Sequence, residues 1–358
     1  MSKELNFRML ALAREAKGLT QEELVKKVPN LSQGNYSRME KGLLPLPLET
    51  LSHIASLLDF PETFFYKEST HVNSVEYFYR KRVSTAKKDL YKLEANFDLL
   101  RLWFEDLLDM VEVGDFAFPE LKVEGNNTPE AIARKVRLAV NITAGPIVNL
   151  VRTLEKNGII IHFLDDAPEK FDGTTIICKS GQKIIVVNEI IPNDRKRFTI
   201  AHELAHCIMH VPFSSELDPY ADVEVEANRF ASEFLMPEAQ IKRDLVGLKY
   251  RDLSDLKNYW RVSKAALIRR AHTLGLINQS RYTTLMIEIS RAGERKVESH
   301  DVDLDPPRIL ELVQKALLEQ LDYTFDSLSQ LLGMSKKYYD SFFHGAVKPK
   351  AAKLRISL

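Results

Sequence analysis

The sequence predicts an α+β protein that is mostly helical and carries one small sheet. Three observations predict this. Gly18, Pro29, Gly42, Pro45, Pro47 and Pro61 punctuate a succession of short helical patterns from residue 7 to 66. Leu90, Leu93, Phe97, Leu100 and Phe104 then recur at helical spacing within a strongly helical stretch, residues 75–112. Only three runs, residues 159–164, 174–178 and 183–188, have the Ile, Val and Thr content of strands.

The elements follow in order. Residues 67–74 are polar and read as a linker. After Gly125-Asn126-Asn127, Thr128 is placed to cap a helix that has Pro129 in its first turn. Residues 146–157 read as a helix stopped by Gly158, and the three strand-like runs come next. Helices are expected at 194–210, at 224–236 before Pro237, and at 262–274 before Gly275. A charged loop at 290–305 leads to a mainly helical region, 307–343. The expected divisions are 1–66, a helical connector at 67–126, a mixed domain at 127–280, and a carboxy-terminal helical region at 281–358.

At 358 residues the chain is long enough for two or three domains. A hydrophobic fraction of 45% and a charged fraction of 28% exclude a disordered chain. Lys+Arg and Asp+Glu are both 50, so any basic surface must be local. Two cysteines, Cys178 and Cys207, do not make a disulfide framework. With no signal-like apolar core near the amino terminus and no run of about 18 apolar residues, a cytoplasmic protein with no membrane partner is expected.

The most informative stretch is His202-Glu203-Leu204-Ala205-His206. On a helix, side chains four apart share a face, so His202 and His206 can offer two imidazoles to one tetrahedral Zn²⁺. Zn²⁺ acidifies water and polarises a carbonyl, and Glu203 is placed to serve as the general base. A catalytic zinc takes a third protein ligand. Pro212 stands where a third histidine would be, which directs attention to Glu224-Val225-Glu226-Ala227-Asn228. Glu224 is the better placed of the two glutamates. Asn228 shares its face and is positioned to hydrogen-bond a ligand histidine, whereas Glu226 is rotated about 200° away. Cys207 reads as a buried small hydrophobe, Cys178 as a strand residue, and His210 as a capping or packing residue; no oxyanion donor is assigned.

The run from Asp194 to Ala201 (DRKRFTIA), continuing into HELAHCIMH, resembles the ImmA/IrrE zinc metallopeptidases. So do EVEANRFASEFLMP, the FDG at 171–173, and GPIVNLVRTLEKNGI before it. The resemblance covers roughly residues 128–275. It implies a zincin-like metallopeptidase domain with His202, His206 and Glu224 on zinc and Glu203 as catalytic acid/base. It also implies a protein substrate of the helix-turn-helix repressor class.

Toward the amino terminus, Thr20 and Glu23 form a capping box, and Ser32 caps a second helix closed by Gly42. Tyr36 and Met39 face its core. Gln21, Ser32, Gln33, Asn35, Ser37 and Arg38 are candidates for contact with base edges and phosphates of double-stranded DNA. The pattern resembles the XRE (Cro/CI-type) helix-turn-helix domain over residues 7–65, although the interval from Gln21 to Ser32 is about one residue longer than usual. Residues 1–45 carry eight basic against five acidic side chains, an excess suited to weak monomeric binding strengthened in a homodimer. Tyr79-Arg80-Lys81-Arg82 with Lys87-Lys88 is the densest basic cluster, and 325–343 has a second helix-turn-helix rhythm expected to serve packing or dimerisation.

The function expected is therefore a zinc endopeptidase fused to a DNA-binding domain, regulating transcription by cutting a repressor in trans or its own chain. Its setting would be a stress or mobile-element response. The alternative is a DNA-binding regulator whose peptidase fold is a non-proteolytic sensor or dimerisation platform.

Overall fold

Capped amphipathic segments account for most of the architecture, which a computed structural model describes for residues 4–68, 87–165, 167–217 and 222–343. These residues pack as two units. The first draws on the described residues 4–68, 87–112 and 308–343; the second is built from the described residues between 113 and 307.

The first unit opens with α1 (Arg8–Ala16), α2 (Gln21–Val25), α3 (Gln33–Glu40), α4 (Leu48–Leu58) and a 3-10 turn at Glu62–Tyr66. The expected caps form. Thr20 Oγ1 accepts from Glu23 N–H while the Glu23 carboxylate accepts from Thr20 N–H, and Ser32 Oγ accepts from Asn35 N–H. These bonds satisfy amide donors that a helix start leaves orphaned. Met9, Leu10, Leu24, Tyr36, Leu51, Ile54, Phe64 and Phe65 fill the space between the helices. The long α5 (Lys87–Leu108) lies along α1. Residues 75–86 of the expected 75–112 helix, and the cluster Tyr79-Arg80-Lys81-Arg82 within them, lie outside the described residues.

The second unit begins with α6 (Pro129–Ala139), capped by Thr128 as expected, and α7 (Leu150–Glu155). The helix expected at 146–157 is shorter because guanidinium groups take up its early carbonyls. Arg137 donates to Gly145 O, Arg197 to Ile147 O and Arg261 to Val148 O, which removes those oxygens from a helical ladder. Strands β1 (Ile159–Leu164), β2 (Gly173–Ile177) and β3 (Lys183–Asn188) form a sheet of order β1-β3-β2. β1 runs parallel to β3 and β2 antiparallel to it. β3 is central and buried at every residue, which explains its unbroken Ile-Ile-Val-Val run.

Helix α8 (Asn193–Ala205) packs on the sheet against β2 and β3. It gives way to a π-helical turn, His206–His210, and a 3-10 turn, Val211–Glu216. Pro212 has no N–H and its ring would collide with the carbonyl four residues back, at Ile208. That carbonyl is taken instead by Leu121 N–H at 3.1 Å. Helix α9 (Val223–Leu235) then lies against α6 and α8. The unit is completed by α10 (Glu238–Leu245), α11 (Leu253–Trp260), α12 (Lys264–Thr273) and α13 (Gln279–Arg291).

The last described helices, α14 (Ile309–Glu319), α15 (Phe325–Leu332) and α16 (Lys336–Phe342), return to the first unit. Tyr338 and Phe342 of α16 meet Trp103 at centroid distances of 5.3 and 5.7 Å, and Phe342 also meets Phe104. The rhythm at 325–343 therefore serves packing.

Candidate metal centre

α8 is buried on nearly every side, and its burial sets the character of the site it carries. His202 and Glu203 are 3% and 7% exposed, and His206 and His210 are fully buried. Polar side chains enclosed to this degree need partners. The Nε2 atoms of His202 and His206 stand 3.1 Å apart.

A carboxylate meets the two histidines from the first turn of α9. Glu224 places one carboxylate oxygen 3.5 Å from His202 Nε2 and the other 3.4 Å from His206 Nε2. Donors held about 2.0–2.1 Å from a tetrahedral metal ion stand about 3.4 Å from one another. The three separations fit that geometry, and nitrogen and carboxylate donors suit a borderline ion. Burial pushes the Glu224 carboxyl toward its neutral form. The two histidine contacts outweigh this and hold its pKa well below the usual carboxylate range. Burial likewise pushes His206 below its ordinary 6.5, with Glu224 pulling the other way. A neutral imidazole beside an ionised carboxylate is the state in which both groups ligate metal.

Glu203 belongs to the same cluster, its donor atoms lying within 4.8 Å of those of His202 and His206. It is held from the sheet. Thr175 Oγ1, on β2, donates to Glu203 Oε2 at 2.9 Å, so one carboxylate oxygen is tied to the sheet. Gly173 makes this approach possible. A Cβ there would stand 2.5 Å from Thr199 Cγ2 and 2.9 Å from Val186 O, forcing α8 away from β2. The glycine of the FDG run thus has a packing reason.

Other side chains behave differently from expectation. Asn228 is half-buried one turn beyond Glu224, and among the described residues its side chain forms no hydrogen bond to either histidine. Glu226 accepts that place indirectly, with Oε2 3.0 Å from His210 Nε2. His210 Nδ1 is in turn 2.8 Å from His206 Nδ1. His202, His206 and His210 therefore form a row with centroid spacings of 4.8 and 4.9 Å. The signal was present in the sequence as a third histidine at the same four-residue interval. Cys207 is a buried hydrophobe as expected, and burial pushes its thiol up to about 12.

In the first unit, Ser32, Gln33, Asn35 and Arg38 are exposed on α3, while Ser37 and Gln21 are half-buried. Gln21 Nε2 donates to Glu40 at 2.6 Å, and Gln33 Nε2 donates to Gln21 Oε1 at 2.9 Å. Arg14 donates to the same Glu40 carboxylate, so α1, α2 and α3 are keyed together through the Glu40 charge. Lys88 is paired with Glu23.

Two family models match the regions that carry these residues. Residues 154–272 match the IrrE N-terminal-like domain of peptidase family M78, and residues 10–65 match a helix-turn-helix domain. The chain thus joins a helix-turn-helix domain to a metallopeptidase-family domain. No curated protein matches the chain. No helix among the described residues is long and apolar enough to cross a membrane.

Proposed function

We propose that this chain is a zinc endopeptidase that regulates transcription by site-specific cleavage of a helix-turn-helix repressor, in trans or within its own amino-terminal module. The observation that carries the reading is the convergence of His202, His206 and Glu224 at 3.1–3.5 Å, with Glu203 alongside. The substrate class rests on the family resemblance and on the helix-turn-helix domain in the same chain.

His202, His206 and Glu224 would hold the zinc. When bound there, zinc supplies Lewis acidity to a water molecule and to the scissile carbonyl. The Glu203 carboxylate accepts the proton of the attacking water, and the Thr175 hydroxyl limits its rotation. The same carboxyl then delivers that proton to the leaving amine. In the first unit, Gln21, Ser32, Gln33, Asn35, Ser37 and Arg38 would face double-stranded DNA, with dimerisation adding affinity. The cytoplasm, where DNA and repressor meet, is the proposed location.

The test incubates zinc-loaded wild type and Glu203→Gln with purified helix-turn-helix repressors, and alone, and reads all products by mass. One discrete cut by wild type and none by Glu203→Gln is expected. Intact chains throughout, with equal promoter regulation by both forms, would establish the non-proteolytic alternative.

A further inference from the structure

The two ligand histidines differ in their surroundings. His202 Nδ1 is buried and has no hydrogen-bond partner among the described residues. His206 Nδ1 faces His210 Nδ1 at 2.8 Å, and His210 Nε2 faces Glu226 Oε2 at 3.0 Å. His210 is fully buried, and the Glu226 side chain is 19% exposed.

A neutral imidazole carries one proton, so this row has two possible orders. In the first, His210 donates from Nε2 to Glu226, and its Nδ1 lone pair accepts from His206 Nδ1–H. His206 Nε2 then presents a lone pair toward His202 and Glu224, as a metal ligand must. In the second, His210 donates from Nδ1, the proton of His206 moves to Nε2, and the ligand position is blocked. That order also sets the His210 Nε2 lone pair against the Glu226 carboxylate at 3.0 Å. Glu226 therefore selects the first order.

We propose that His210 and Glu226 are positioning residues that fix the tautomer and ring plane of His206, and so strengthen metal binding at the centre. The proposal rests on the metal-binding reading above. Partners of ligand histidines commonly contribute about 10–100-fold in metal affinity. Glu226 acts only through His210, so the two residues should count as one.

The test is a zinc competition titration of the metal-free full-length chain against a chromophoric chelator. Wild type is compared with Glu226→Gln, His210→Phe and the double variant, alongside the thermal midpoint of each metal-free form. The expected result is a loss of about 10–100-fold for each single variant, with the double variant no weaker than His210→Phe. Affinities within about twofold of wild type, or losses that add, would overturn it. If His210→Phe does not fold, Glu226→Gln at the partly exposed end of the row still decides. A wild-type chain that binds no zinc would instead overturn the metal-binding reading itself.

Discussion

The end of α9 opposite Glu224 is held by a buried charge cluster whose disruption has a calculable cost. Glu233 is 1% exposed. Its carboxylate accepts from Arg270 Nη2, from Arg134 Nη1 at 3.0 Å, and weakly from Glu238 N–H. Arg270 also donates to Met236 O at 3.1 Å, and Arg137 to Phe234 O at 2.7 Å, so guanidinium groups satisfy carbonyls that a helix end leaves free. Glu233→Gln keeps the shape but leaves Arg270, itself 4% exposed, as an uncompensated buried cation. Breaking a buried pair in this way costs about 3–5 kcal/mol. In a unit of this size each kcal/mol moves the midpoint by about 2–4 °C, so a fall of about 6–20 °C is expected. Calorimetry of the metal-free protein is the assay, because it resolves separate transitions and excludes stabilisation by bound metal. A loss below about 1 kcal/mol, the range of exposed pairs, would refute the argument.

Three further outcomes follow from particular contacts. Burial pushes the Glu294 carboxyl up, but Lys264, Ser299 and Tyr250 outweigh it and hold the pKa down to about 2 against an ordinary 4.5. Its contribution is present above pH 4.5 and lost as pH falls toward 2. Glu294→Gln should flatten the stability profile across that window in acid titrations of unfolding, and an unchanged slope would contradict this. Gly158→Ala at φ +81° would place a Cβ 2.0 Å from Asp115 O. It should destabilise by about 3 kcal/mol in chemical denaturation, and a neutral effect would contradict that packing. Arg38→Ala, on the exposed face of α3, should weaken operator binding and lower the salt slope by about 1, as read by fluorescence anisotropy. An unchanged slope would remove Arg38 from the interface.

The parts of the fold governed by local rules were legible in the sequence. Thr20, Ser32 and Thr128 cap helices because each sets a side-chain hydroxyl just before a helical pattern, where it accepts from the N–H three residues on. The strands at 159–164 and 183–188 were legible from their apolar runs, and Glu224 from its place on a helix after the histidine motif. What the sequence hid arises from tertiary contacts. Arginines on distant segments claim the carbonyls near 145–148, and periodicity carries no trace of that. Helical periodicity alone turns Glu226 away from Glu224 and says nothing of its partner His210, which lies across the inter-helix contact, on a π-helical turn. Asn228 followed from sharing a face with Glu224, but sharing a face does not create a hydrogen bond. The return of the chain after residue 308 to the first unit depends on aromatic packing around Trp103, contacts more than 200 residues apart in sequence.

Metal content bears most directly on the centre. Wild type, Glu203→Gln and Glu224→Gln would be purified, exposed to zinc, dialysed and assayed together for bound zinc per chain. One zinc is expected in wild type and in Glu203→Gln, the residue proposed as general base, and loss of that zinc in Glu224→Gln. Equal zinc in all three, or none in wild type, would contradict it.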